Sequence, residues 1–360
     1  MKKVVKTVRV ALIGSGARTA VGMTAAATAA AVRAGIAGFG EHPFVVDTTG
    51  KSMIVALAPY VDIGVRGAAR LAELAAPAAV EAVGPSSALW AGELPISLLV
   101  GLPPPRPGRE RGAATIVVDR LREGLAPLCH IEKTIVIESG HAAGTMAIER
   151  AWQAVRSGAC EFALAGGVDS YLEPETLEWL EENDQVHSAG AENNAYGFVP
   201  GEAAGFVLLT TTAAAQRYQL SAALELMSVA LARETKLIKT DTVCTGEGLL
   251  AMFRNLAGDP PAIKVDHLYC DMNGEPYRAD EFGFASIRAA ELFRAPDAFT
   301  APADCWGDVG AASGPLLLML AEAATRKRYA EGPVLAAFTS SESGERCGFL
   351  VHDRMEVERR

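Results

Sequence analysis

Apolar residues change their spacing from segment to segment along this chain, and the changes mark alternating strands and helices. In IVIESGHAAGTMAIERAWQAVRSGACEFALAGGVD, residues 135–169, an apolar strand at 135–137 runs into a turn of small residues. Ala143, Met146, Ala147, Ala151, Ala154 and Val155 then recur at the spacing of a helix with one apolar face. A second apolar strand, 162–165, follows and ends at Gly166-Gly167. A strand, tight turn and helix in this order aim the turn N–H groups and the positive helix end at one point, which suits an activated nucleophile or an oxyanion. The residue at that point is His141.

The same outline returns in CWGDVGAASGPLLLMLAEAA, although no strict period is visible. It fits a chain of two related α/β halves, residues 1–212 and 213–360, whose small residues let buried helices approach closely. A strand at 8–13 opens the first half, and strands at 334–338 and 348–351 close the second. The polar stretch 213–218 is the expected crossover. Between Gly35 and Gly112 the pattern is irregular, and LPPPRPG forces an extended loop after a strand at 96–100.

With 360 residues, half of them apolar, the chain can bury a sizeable core, yet no apolar run approaches the ~20 residues that cross a bilayer. The basic start, MKKVVKTVRV, leads directly into a strand pattern and reads as the first strand of a cytoplasmic protein. Six scattered cysteines show neither metal spacing nor a disulfide framework, and no cofactor motif is complete. The Gly-x-Gly of ALIGSGARTAVG lacks the third glycine of a dinucleotide fingerprint. A net charge of −10 speaks against nucleic acid as a partner. The one basic cluster, Arg106, Arg109 and Arg111 with Arg120 and Arg122 beyond, reads as a solvated loop and helix face. LEPETLEWLEENDQ, 172–185, reads as an exposed acidic helix face without metal-ligand spacing.

Several segments together resemble the thiolase superfamily, and most closely its β-ketoacyl synthase branch. RVALIGSGARTAVG is similar to the opening strand of ketosynthases, and GTMAIERAWQAVRSGACEFALAGGVDS to the helix and strand after their nucleophile. YGFVPGEAAGFVLLT, with Phe198, Gly201, Glu202 and Gly205, resembles their glycine-rich hairpin. TVCTGEGLLAMFRNLA, CWGDVGAASG and SESGERCGFLVHD continue the likeness in order. The resemblance implies the five-layered αβαβα thiolase fold and a dimer. It also implies an acyl-thioester or acyl carrier protein as partner. At the family's catalytic positions it places His141 for the nucleophilic cysteine, Asn273 for the first histidine, and Asp308 for the second histidine or asparagine, or Gly307 if the register differs by one. Pro302 is the residue nearest the family's upstream lysine. Phe198, Gly201, Cys244, Cys270 and Gly310 fall on segments that line the family's substrate site.

Without a thiolate, an ordinary acyl-enzyme has no place to form. His141 is then either a base or electrostatic group, or a polar residue filling a decayed pocket. A helix start lowers its pKa, whereas Asp308 as partner raises it. Asn273 is a hydrogen-bond donor or the first residue of an Asn-Gly turn. Ser139 reads as a turn or cap residue, Cys270 as a small buried strand residue, and Cys244 as part of a gating loop. The leading reading is a non-condensing accessory subunit that binds an acyl chain, a carrier or another protein, as a homodimer or beside an active ketosynthase. The alternatives are an acyltransferase or hydrolase using His141, Asn273 and Asp308, and an accessory of a bacterial secretion or biosynthetic cluster. His141, Asn273 and Asp308 are expected to converge at the end of one buried cavity, even if catalysis has been lost.

Overall fold

The structure, a computed structural model, describes residues 8–87, 95–191, 193–258, 261 and 263–354, so the basic residues 1–7 lie outside it. The chain runs through β1 (Val10–Thr19), α1 (Ala25–Arg33), the hairpin β2 (Gly40–Val46) and β3 (Ser52–Val55), α2 (Gly67–Ser87), β4 (Pro95–Leu102), α3 (Ala113–Leu125), β5 (His130–Glu138), α4 (Ala143–Ser157), β6 (Phe162–Ser170), α5 (Pro174–Glu182) and β7 (Glu202–Thr211). It continues with α6 (Thr212–Arg217), β8 (Leu224–Arg233), α7 (Glu247–Ala257), β9 (His267–Cys270), α8 (Pro276–Arg288), β10 (Phe299–Thr300), α9 (Ala303–Trp306), α10 (Ser313–Arg326), β11 (Val334–Ser340) and β12 (Glu345–Asp353).

Hydrogen bonding orders the large sheet β10-β9-β11-β12-β8-β1-β7-β6-β4-β5. Outward from its middle, β8-β12-β11-β9-β10 and β1-β7-β6-β4-β5 are the same arrangement. In each group the last three strands are mutually parallel and the other pairings antiparallel. Only Val10, Ala11 and Leu12 pair across the middle, with Leu226, Glu225 and Leu224.

Burial on both faces explains the apolar runs of β6 and β11, every residue of which is buried. Between the two strand groups, α4 and α10 fill a core in which Ile148, Trp152, Leu317 and Leu320 join Ala163 and Val207 to Leu335 and Phe349. On the outer face of the first group, α2 and α3 set Leu74 and Leu121 against Leu98 and Phe206. On the outer face of the second, α7 and α8 set Phe253 and Phe282 against Leu268 and Phe338. The layers are therefore helix, sheet, helix, sheet, helix, as in the thiolase fold.

Two sequence expectations are corrected. The stretch from Gly35 to Gly112 holds a 21-residue helix, α2, with Pro77 and Pro85 inside it. Proline breaks the helical signal, but packing of the alanine-rich face against β1 outweighs the lost hydrogen bonds. The Gly-x-Gly lies within β1, which extends to Thr19, rather than in a turn after it. A Cβ at Gly14 would fall 2.1 Å from the Ala82 carbonyl oxygen, and one at Gly16 2.0 Å from that of Ala78. These glycines let a helix lie on a strand. Similarly, Gly166 and Gly167 are inside β6, where a Cβ on Gly167 would meet the Ala311 oxygen at 2.0 Å.

Candidate functional site

The closest helix contact in the central layer builds the site. A Cβ on Gly144 would lie 2.3 Å from the Ala311 oxygen, and one on Gly314 1.9 Å from Thr145 Oγ1, so the starts of α4 and α10 meet almost backbone to backbone. Each helix is preceded by a 3-10 turn, Gly140–Ala142 and Gly310–Ala312, whose first glycine has positive φ, 64° and 46°. The turns are anchored alike: the Ala142 N–H donates to Ser341 Oγ at 2.8 Å, and the Ala311 N–H to Asp169 Oδ2 at 3.0 Å. His141 sits in the first turn, Asp308 just before the second, and Asn273 between β9 and α8.

All three side chains converge. Asp308 accepts from His141 Nε2 at 2.8 and 2.9 Å, from Asn273 Nδ2 at 2.6 Å and from the Gly310 N–H at 2.9 Å. The segment before β7 pins the Asp308 backbone: its N–H donates to Val199 O at 2.8 Å, and its carbonyl accepts from the Gly201 N–H at 2.9 Å. Gly201 is needed there, since a Cβ would lie 2.5 Å from Trp306 O. His141 is 7% and Asp308 3% exposed.

Arg278, which the sequence reading missed, is the fourth member. From the first turn of α8 its NH2 reaches within 3.2 Å of His141 Nε2, while its NH1 meets Asp271 Oδ2 at 3.3 Å and Ser340 O at 3.0 Å. Nε2 faces both oxygens of a carboxylate, so it carries a hydrogen; a bare lone pair there would be repelled. Arg278 consequently stands beside the ring as a second cation rather than as its donor. Burial opposes the charged imidazole and Arg278 opposes it further, but Asp308, with help from Asp271, raises the His141 pKa above its ordinary 6.5. Burial likewise works against a charged Asp308, and His141, Arg278 and the Gly310 N–H hold its carboxyl well below the usual range. Each partner thus favours the charged form of the other. Of the two influences expected on His141, that of the carboxylate is seen: Asp308 raises its pKa.

Glu275, Tyr277, Lys239 and Glu342 cover the group. Glu275 accepts from Asn273 Nδ2 at 3.0 Å and from the Tyr277 hydroxyl at 2.7 Å, and Lys239 bridges Glu342 at 2.5 Å and Glu275 at 3.4 Å. Glu342 is driven up by burial, yet Lys239 holds it below its ordinary value. None of the five prominent clefts of the described surface is lined by His141, Asn273 or Asp308.

The remaining candidates separate. Cys270 lies in the outer core under α7 and α8, its Sγ 3.8 Å from Thr300 O, and burial drives its thiol far up. Cys244 contacts Glu281 Oε1 at 3.8 Å, and burial pushes its thiol up to about 11. With Glu234 these two bring ligand atoms within 4.8 Å of one another, but Glu234 accepts three backbone N–H groups and Glu281 is paired with Arg346 at 2.7 Å. Phe198 packs edge-on against Tyr171, ring centroids 5.5 Å apart. Gly310 has no room for a side chain, as a Cβ would meet Asp169 Oδ2 at 2.1 Å. Ser139 gives its carbonyl oxygen to Ser341 Oγ, as a turn residue does.

The basic loop needs correction at Arg106, which is not solvated. Its NH2 donates to Asp169 Oδ1 at 2.6 Å and Ser170 O at 2.5 Å, and its guanidinium lies 4.1 Å over Tyr171. Arg109 pairs with Glu138, whereas Arg111, Arg120 and Arg122 are exposed. The acidic stretch is only partly an outer face: Thr176, Leu177 and Leu180 of α5 are buried, and Glu173 accepts the Gly67 N–H at 2.5 Å.

Residues 133–215 match the family model described as β-ketoacyl synthase, N-terminal domain. The ketosynthase from module 6 of the bacillaene synthase of Bacillus subtilis 168 superposes with a TM-score of 0.74 at 14% identity, covering 96% of this chain and 72% of that one. The ishigamide ketosynthase/chain length factor gives 0.76 at 16% identity, with 96% and 99% covered. A type II polyketide synthase acyl-carrier protein in complex with its ketosynthase bound to the hexaketide gives 0.76 at 14%, with 97% and 100% covered. No curated protein matches the sequence. The chain has the fold of these ketosynthases, and its residues 133–215 match their N-terminal domain model.

Proposed function

We propose that this protein is a non-condensing, ketosynthase-like accessory subunit that works beside an active ketosynthase and its acyl carrier protein. The observation that carries the reading is the buried His141–Asp308 ion pair, wedged by Arg278, at the point where the fold would present a nucleophile. A protonated His141 cannot take up a further proton and so is no general base, and its Nε2–H is spent on Asp308. This favours the accessory role over an acyltransferase or hydrolase built on the same three residues. Two of the similar structures contain, by their descriptions, a chain length factor and a carrier protein, which supports assembly with such partners.

Strand β5 supports a dimeric assembly, homomeric or with an active ketosynthase. Among the described residues it pairs only with β4, so its other edge is open there, and its Val136 is 36% exposed. We place the protein in the cytoplasm, in keeping with six unpaired cysteines and with the absence, among the described residues, of a helix long and apolar enough to cross a membrane.

Incubation with acyl- and malonyl-thioesters of a carrier protein tests the reading. Mass spectrometry of the peptide spanning 139–144 is expected to show no acyl adduct, and malonyl-thioester is expected to persist at its uncatalysed rate. An adduct there, or turnover lost on His141→Ala, overturns the accessory reading in favour of an enzyme.

A further inference from the structure

A cleft of about 950 Å³ opens between α1, the middle of β1 and the C-terminal ends of α2 and α10. Its α10 residues, Met319 to Arg326, lie on the half of that helix away from the turn beside His141, and none of the residues around His141 lines it. Its inner wall is apolar, formed by Ile13, Ala29, Met319 and Ala323, with exposed Ala30 nearer the mouth. Two carboxylates also face it, and both are occupied by protein donors. Glu322 accepts from Ser15 Oγ at 2.5 Å and Arg326 Nε at 2.8 Å. Glu81 accepts from the Ala25 N–H at 2.8 Å, the Ala17 N–H at 3.1 Å and Arg18 at 2.8 Å.

The rim is different. Arg33 and Lys327 line the mouth, are exposed, and have no carboxylate partner among the described residues; Arg33 lies 4.3 Å over the Tyr329 ring. A cleft that is apolar within, internally neutralised at its acids and positive at its mouth complements an apolar chain ending in an anion. We propose that it binds a long-chain carboxylate, the hydrocarbon along the alanine face of α1 and the head group at Arg33 and Lys327. The inference stands apart from the accessory reading, because it uses none of the residues around His141.

The test is binding of cis-parinarate, a fluorescent polyene fatty acid, to the purified full-length chain. Saturable binding at one site per chain is expected, displaced by palmitate but not by hexadecanol. Ala30→Phe fills the cleft from an exposed position and is expected to weaken binding by about tenfold or more. The surface pair Arg33→Glu and Lys327→Glu is expected to weaken it about tenfold and to erase the preference for palmitate over hexadecanol. No saturable binding up to about 100 μM overturns the proposal, as does binding that the charge reversal leaves unchanged. Adsorption to phosphatidylglycerol vesicles without capture of parinarate also overturns it, assigning the basic rim to a membrane surface.

Discussion

Replacing Asp308 with asparagine tests the central ion pair through stability and its pH dependence. The substitution preserves shape but offers one carbonyl oxygen and one NH2 group where the carboxylate served His141, Asn273 and the Gly310 N–H. Breaking one side of a buried pair costs about 3–5 kcal/mol, because the remaining charge stays in the low-dielectric interior. The pH dependence is the sharper reading. In the native protein the His141 pKa is raised above 6.5, so its contribution is complete below 6.5 and is lost as pH rises through the folded value. Between those two pKa values the folded state holds a proton the unfolded state has released, and stability falls by up to about 1.4 kcal/mol per pH unit. Without the carboxylate, burial and Arg278 push His141 below 6.5 instead, and the sign reverses: the variant loses stability on acidification through 6.5. The depressed Asp308 contributes above its unfolded value near 3.8 and loses that contribution only at lower pH, outside this range. His42, whose pKa is lowered by burial and by Arg66 and Arg70, is common to both proteins and cancels in the difference. The assay is urea unfolding followed by tryptophan fluorescence at closely spaced pH values from 5 to 8. The gap between native protein and variant is expected to widen toward pH 5. A cost below about 1 kcal/mol with parallel pH profiles would refute the ion pair.

Three further outcomes follow from the geometry. Gly14→Ala should destabilise the fold by about 2–3 kcal/mol in the same unfolding assay, since the new Cβ meets the Ala82 oxygen at 2.1 Å; a neutral effect would deny the β1–α2 contact. Arg106→Ala should cost about 3–5 kcal/mol by stranding buried Asp169, whereas exposed Arg111→Ala should stay within about 0.5 kcal/mol, and equal effects would contradict the distinction drawn between the two arginines. Light scattering should give a dimer mass at low micromolar concentration, reduced toward the monomer by Val136→Lys on the open edge of β5; an unchanged mass in the variant would place the interface elsewhere.

The sequence by itself determined the local elements and much of the fold. Its apolar runs and helical periods mark β6, α4, α10 and the closing strands, because side chains sandwiched between layers leave a composition signal. Repetition of the strand–turn–helix outline foreshadowed the two strand groups of equal order. A histidine, His141, at the turn was also plain, and it meets Asp308, which in turn meets Asn273. What stayed hidden depends on contacts between distant segments. Nothing around Arg278 signals that it turns inward, since its partners Asp271, Ser340 and His141 lie on other elements. Arg106 looked like its exposed neighbours until Asp169 and Tyr171 were brought beside it. The helix α2 was obscured by its own prolines, and the glycines of β1 took their meaning from that helix. The protonation state of His141 was undecided for the same reason. Burial, carboxylate and guanidinium act with opposite signs, and only their relative positions in the folded chain decide which prevails.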